Sequence, residues 1–235
     1  MSHAGVPVEA VLFDLDGTLL DTALDMGAAL NALLQEEGRA QLPPDIIRPH
    51  VSNGAKALVT LGFAAATDQP GDAARAEQEF ERRRLRFLAL YSTSLAQATR
   101  PFAGMDAVLA AIEASDRPWG IVTNKPGWLT EPLLRALELD RRAACVVSGD
   151  TLPERKPHPR PLLHAAELLG VRPAACLYVG DAERDMQAAA AAGMRAIVAR
   201  YGYLAPGDDL AQWPQHGGID HPAELLGYLQ PSRGE

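Results

Sequence analysis

The residues best suited to chemistry lie near the start of the chain, in Ala10-Val11-Leu12-Phe13-Asp14-Leu15-Asp16-Gly17-Thr18-Leu19-Leu20-Asp21. Val8 to Phe13 is an almost wholly apolar run, which is how a strand buried on both faces reads. It ends in two carboxylates, Asp14 and Asp16, separated by one apolar residue, and Gly17 then lets the chain turn. Ligands of open α/β sheets bind at the carboxyl ends of strands. Like charges this close repel unless a cation or a shared proton compensates, and a hard divalent cation is the simplest remedy. The plainer alternative is a strand ending in an Asp-Gly turn with both acids solvated.

Three further groups carry complementary chemistry. Thr123-Asn124 supplies a hydroxyl and an amide, Lys156 in Arg155-Lys156-Pro157-His158-Pro159 a fixed cation, and Asp181 with Asp185 two more acids. Asp181 and Asp185 are one helical turn apart and can address one point at a helix start. Three or four converging carboxylates read as a magnesium site, because that ion takes oxygen ligands and keeps waters. A lysine beside it suits an anion, and together they make a phosphate subsite. In such a subsite Asp14 attacks phosphorus in line to give an aspartyl-phosphate. Lys156, the Thr123 hydroxyl and backbone amides hold the equatorial oxygens, and Asp16 serves as general acid and then general base.

The chain must deliver these residues to one edge. Strands are expected over about Val8–Phe13, Trp119–Val122, Ala144–Val147 and Cys176–Val179, with Arg195–Ala199 closing the series. Helices are expected between them, over about Gly104–Ala114, Leu129–Leu137, Pro159–Leu169 and Met186–Ala192. This alternation implies right-handed crossovers and a parallel sheet, so polar strand ends far apart in sequence converge. From Asp21 to about Ala98 no clear strand is visible. A helix to about Glu37, a short one from Pro43-Pro44-Asp45, a turn over His50–Gly54 and a helix over Lys56–Phe63 are expected there. After a Pro70-Gly71 break comes a long charged helix to Tyr91. The expected organisation is an α/β core of residues 1–20 and 99–235, a doubly wound Rossmann-like sheet, interrupted by a helical insertion over 21–98.

Composition narrows the partners. With 235 residues and 47% apolar content the chain can build a proper core. Its net charge is −8 and its 22 basic residues form no long run, which speaks against nucleic acid and anionic membranes. Arg82-Arg83-Arg84 and Arg86 follow Glu77, Glu79 and Glu81, the pattern of a solvated helix face with local ion pairs. Cys145 and Cys176 read as buried free thiols, and Trp128 and Trp213 as packing residues, with a place at the border of a pocket as the alternative for either. The histidines have no zinc-ligand spacing, and His3 belongs to the terminus. No targeting segment or membrane span is recognisable, so a reducing cytoplasm is expected. Monomer and homodimer are both compatible with the sequence.

Asp14-Leu15-Asp16-Gly17-Thr18, Thr123-Asn124, Lys156-Pro157 and Gly180-Asp181 followed by Asp185 resemble the four ordered motifs of the haloacid dehalogenase superfamily. The resemblance implies a doubly wound core and a mobile helical cap inserted after the first motif. It implies Asp14 as nucleophile and Asp16 as acid/base, with magnesium held by Asp14, the Asp16 backbone carbonyl and Asp181, supported by Asp185. It also implies that Ser52-Asn53-Gly54-Ala55-Lys56 is a cap loop facing the active site, so that Asn53, Gly54 and Lys56 join Thr123, Asn124 and Lys156 in substrate binding; the alternative is an ordinary helix start with an exposed lysine.

Asp16 separates the chain from the superfamily's dehalogenase and phosphonate-cleaving branches, which lack that acid; the latter would need Lys56 as an imine former. Much of the chain is similar to phosphoglycolate phosphatases, including Arg100-Pro101-Phe102-Ala103-Gly104. Arg200-Tyr201-Gly202-Tyr203, Pro206, Asp208-Asp209, Trp213 and Asp220-His221-Pro222-Ala223-Glu224-Leu225 resemble phosphatases of N-acetylmuramic acid 6-phosphate. A small phosphorylated metabolite is the implied partner. A sugar phosphomutase, or a non-catalytic phosphosugar-binding protein of the same fold, is the alternative.

Overall fold

The computed structural model describes residues 6–64 and 73–229, so the Pro70-Gly71 break and His3 lie outside the described residues. The elements in chain order are β1 (Ala10–Phe13), β2 (Leu20–Asp21), α1 (Ala23–Glu36), α2 (Pro44–Ile47), α3 (Gly54–Phe63) and α4 (Ala73–Thr93). They continue with β3 (Arg100–Pro101), α5 (Met105–Ala114), β4 (Trp119–Val122), α6 (Gly127–Ala136), β5 (Cys145–Val147) and α7 (Arg160–Leu169). The last are β6 (Cys176–Gly180), α8 (Glu183–Ala191), β7 (Arg195–Ala199), β8 (Gly217–Ile219) and α9 (Leu225–Tyr228). Two compact units result: the chain up to Asp21 joined with everything from Arg100 onward, and Thr22–Thr99.

The first unit is an α/β fold with a Rossmann-like sheet of six strands in the order β5-β4-β1-β6-β7-β8. All pairings are parallel. β1 takes the centre because Ala10, Val11, Leu12 and Phe13 are all apolar and can be covered on both faces, and each is fully buried. Phe13 meets Trp119 of β4 edge to face, ring centroids 6.2 Å apart. The chain winds from β1 outward through β4 to β5, then returns to β6 on the other side of β1 and continues outward. That reversal opens a crevice at the carboxyl ends of β4, β1 and β6.

Three local features depart from the sequence reading. The strand series does not close at Ala199, because Gly217–Ile219 adds β8 beside β7. Two of its three residues are glycines, which give no β signal, and a Cβ on Gly218 would meet the Arg200 guanidinium. Leu20–Asp21 and Arg100–Pro101 form a two-stranded antiparallel ribbon where the chain leaves and re-enters this unit; two residues carry no readable periodicity. Trp128 is half exposed rather than packed, whereas Trp213 is buried in the core. Cys145 and Cys176 are free and buried. Burial pushes the Cys145 thiol up to about 11, and burial with the Cys145 and Glu9 charges pushes Cys176 up to about 12.

The second unit is helical, with α1 packed on α4 and α3. Leu30, Leu33 and Leu34 of α1, Leu58 and Phe63 of α3, and Phe87 and Tyr91 of α4 are buried. The basic run on α4 pairs locally, Arg82 with Glu79 and Arg84 with Glu81, and across to α1, Arg83 with Glu37 at 3.1 Å and Arg86 with Glu36. The ends of the unit are stapled at one residue. Buried Asp25 of α1 accepts the Ala98 N–H at 2.8 Å, the Thr99 N–H at 3.0 Å and the Thr99 hydroxyl at 2.6 Å. Replacing it strands those donors in a buried setting, so Asp25→Ala should lower stability by about 3 kcal/mol in denaturant melts. Asp25→Asn, which keeps one acceptor oxygen, should lose less.

Candidate active site

Asp14 follows β1, Thr123 follows β4, and Gly180-Asp181 ends β6 and leads into α8. Because β4, β1 and β6 are neighbours, their polar ends meet. Asp14 is 4% exposed, and its N–H continues the ladder onto the Val179 carbonyl at 2.9 Å. Its Oδ1 accepts the Leu15 N–H at 2.7 Å and is ion-paired with Lys156 Nζ at 2.9 Å. Among the described residues no donor engages its Oδ2.

Lys156 is almost wholly enclosed and spends its ammonium on Asp14, on Asp185 Oδ1 at 2.7 Å and on the Tyr178 hydroxyl at 2.8 Å. The ammonium thus meets three oxygens, two of them charged, which is how a buried cation is tolerated. Asn124 fastens the loop that carries it. The Asn124 amide donates to the Lys156 carbonyl at 2.9 Å and accepts the Lys156 N–H at 3.1 Å. Asn124 is therefore committed to holding Lys156 by its backbone. Thr123 is buried and its Oγ1 accepts the Lys125 N–H at 3.2 Å, which leaves the hydroxyl proton to donate.

Asp181 and Asp185 are buried at the start of α8. Asp185 Oδ2 accepts the Ala182 N–H at 3.0 Å. Burial pushes the Asp185 carboxyl above the ordinary carboxylate range; the Asp14 charge adds to this, and Lys156 and Arg184 offset it only partly. Arg184 loses charge stability to burial, but Asp185, Asp14 and Asp181 outweigh that and hold its pKa above normal. Asp181 accepts the Tyr203 N–H at 2.9 Å and the Thr18 hydroxyl at 3.2 Å. Close approach here depends on glycine. Gly17 has φ +87°, and a Cβ on it or on Gly202 would overlap Asp181. The segment around Gly202 grips the first motif, with the Tyr201 hydroxyl on the Thr18 carbonyl at 3.0 Å and the Tyr203 hydroxyl on Asp21 at 2.7 Å.

One carboxylate oxygen from each of Asp14, Asp181 and Asp185 lies within 4.8 Å of the others. Hard, buried oxygen donors of this kind fit a magnesium ion. The Asp16 side chain lies outside this trio, held instead by Lys125 Nζ at 2.9 and 3.1 Å; only its backbone carbonyl is left to serve a metal. Asn53, Gly54 and Lys56 lie in the helical unit, Asn53 ending a 3-10 turn and Gly54 opening α3 with φ +70°. Lys56 is exposed, and its charge helps hold Glu81 below the usual range, after the Arg84 hydrogen bond.

Sequence reasoning missed three side chains of this site. Lys125 directly follows the Thr123-Asn124 motif, and its position was a usable signal. Tyr178 donates to the Val122 carbonyl at 3.0 Å and braces Lys156; a polar-tipped ring within an aliphatic strand was its only mark. Burial, then Asp185 and Asp14, push its hydroxyl well above the usual range, so it stays protonated. Thr18 was read as part of the motif, without its bond to Asp181.

The haloacid dehalogenase-like hydrolase family model matches residues 11–199. A phosphoglycolate phosphatase of Xanthomonas campestris pv. campestris is 43% identical over 216 residues, 92% of this chain and 94% of the relative. An N-acetylmuramic acid 6-phosphate phosphatase of Pseudomonas putida is 40% identical over 218 residues, 93% and 94% respectively. The crystal structure of a predicted phosphoglycolate phosphatase from Haemophilus somnus superposes with a TM-score of 0.81 at 28% identity, covering 98% of this chain and 100% of that one. A match running from within β1 to the end of β7, joined by relatives at 40% identity or more over nine-tenths of the chain, makes this protein a member of the haloacid dehalogenase-like hydrolase family.

Proposed function

We propose that this protein is a magnesium-dependent phosphatase of a small phosphomonoester that works through an aspartyl-phosphate on Asp14. The observation that carries this reading is the state of Asp14, a buried strand-end carboxylate with Oδ1 anchored and Oδ2 met by no donor among the described residues. A carboxylate oxygen of Asp14 attacks phosphorus as the bond to the leaving oxygen breaks. Lys156, with the Thr123 hydroxyl, holds the equatorial oxygens as their charge redistributes. Asp16 protonates the leaving oxygen, then takes a proton from the water that attacks phosphorus and frees Asp14. Asn124 keeps Lys156 in place. Asp14, Asp181, Asp185 and the Asp16 carbonyl would hold magnesium, which when bound would supply the charge neutralisation that lets a carboxylate approach a phosphate.

In this reading Thr22–Thr99 is the cap, and Asn53, Gly54 and Lys56 select the part of the substrate beyond the phosphate. The favoured substrate is N-acetylmuramic acid 6-phosphate, supported by the tail resemblance and the Pseudomonas putida relative. 2-Phosphoglycolate is the second reading, supported by the Xanthomonas relative. A cytoplasmic setting belongs to the same reading and is supported by two unpaired, buried thiols.

Phosphate release from both compounds and from glucose phosphates tests the reading directly. Metal-dependent release should favour the amino-sugar phosphate and disappear in Asp14→Asn. Lys156→Met should lower kcat by about 100-fold or more. Tight binding without release from any of them would point to a mutase or a binding protein. A second test uses acidity. The raised Asp185 pKa stabilises the metal-free fold at low pH, and that contribution is lost as pH rises through the raised value. A bound dication favours the carboxylate, so the rise in Tm on adding magnesium should grow as pH is raised from the ordinary carboxylate range to above the raised value. An equal rise at both ends of that span would show that Asp185 does not contribute to holding the ion.

A further inference from the structure

Two lysines hold three of the four acids of the site. Lys156 pairs with Asp14 and Asp185, while Lys125 bonds both oxygens of Asp16. The Lys125 side chain is 5% exposed and that of Asp16 15%, so the pair is largely withdrawn from solvent. Both backbones are fixed. The Lys125 N–H is on Thr123 Oγ1, and its carbonyl accepts the Gly149 N–H at 2.8 Å and the Thr130 hydroxyl at 3.3 Å. Gly149 reaches it because a Cβ there would overlap the Asn124 carbonyl. On the other side, Asp16 sits in a turn closed by the Gly17 N–H on the Leu20 carbonyl at 2.9 Å and by the Leu19 and Leu20 N–H groups on the Leu15 carbonyl. A cation placed this firmly does more than balance charge at a distance.

We propose that Lys125 is the positioning residue for Asp16, holding its carboxyl in the one orientation from which it exchanges a proton with the leaving group. The proposal rests on the phosphatase reading above. In the first half-reaction the Asp14–phosphorus bond forms, and the bond from phosphorus to the leaving oxygen breaks with its electron pair on that oxygen. The Asp16 proton moves to that oxygen, and the negative charge left on Asp16 falls on the Lys125 ammonium. In the second half-reaction water attacks phosphorus, its proton returns to Asp16, and the Asp14–phosphorus bond breaks. Lys125 touches neither phosphorus nor the leaving group; it acts through Asp16.

The dependence on leaving group isolates this role. An alkyl phosphate needs its leaving oxygen protonated, whereas 2,4-dinitrophenyl phosphate leaves as a stable anion and needs no acid. Lys125→Met should therefore lower kcat/KM for the alkyl substrate about 100-fold and for the dinitrophenyl ester less than about 10-fold. Asp16→Asn should show the same asymmetry, and the double variant should be no worse than Asp16→Asn alone. Lys125→Arg should recover most of the loss, and inhibition by inorganic vanadate should be unchanged in both Lys125 variants. Equal losses on both esters, additive losses in the double variant, or a raised KM with unchanged kcat would overturn the assignment. A folding defect would show in Lys125→Met as weakened vanadate inhibition and equal losses on both esters, the same overturning result. If the unaltered protein releases phosphate from none of these esters, the phosphatase reading itself fails; activity with symmetric losses removes only Lys125.

Discussion

Four carboxylates can share the end of one sheet only if cations are fixed among them, and the placement of those cations shapes the neighbourhood. Lys156 is ion-paired with Asp14 and Asp185 and donates to Tyr178, and every one of those partners is buried. Removing an ammonium from water costs several kcal/mol, which only a full set of hydrogen bonds offsets. Hence the Tyr178 hydroxyl, itself anchored on Val122, and hence the two bonds by which Asn124 grips the Lys156 backbone. The acids are pre-organised by that arrangement and need little rearrangement when charge moves.

Close approach is the second constraint. Asp181 lies where three loops converge, and the chain has glycine on two of them, at Gly17 and Gly202, where any side chain would occupy its space. The segment from Arg200 to Tyr203 is then more than a tail: its two phenols and one amide tie it to the first motif and to Asp181. Phe102 packs on both of its rings, at 4.9 and 6.2 Å. The residues whose pattern suggested a particular substrate are thus also the ones that support the acidic cluster from behind.

What was legible in the sequence followed from strands that end in polar residues. The meeting of Asp14, Thr123, Asp181 and Asp185 depends only on parallel crossovers, a rule strong enough to apply without coordinates. The ordered sheet was legible for the same reason, up to Ala199. Pairing between side chains was not. Both lysines stand in loops, and nothing in the spacing says that Lys125 captures Asp16 while Lys156 captures Asp14; that choice is made by loop geometry under tertiary restraint. Asn124 looked like a ligand because amides bind phosphates, yet its two hydrogen-bonding groups are occupied by backbone. β8 escaped because glycine carries no strand propensity.

The ribbon of β2 and β3 sets the departure and return of the chain side by side, Leu20 opposite Pro101 and Asp21 opposite Arg100. On the far side of that junction Asp25 ties the two ends of the helical unit together through Ala98 and Thr99. An excursion that begins and ends at neighbouring points is invisible to the sheet, which sees only a closed loop of fixed width. Helical inserts of other lengths and sequences can therefore be exchanged at this junction without moving β1 or the acids behind it.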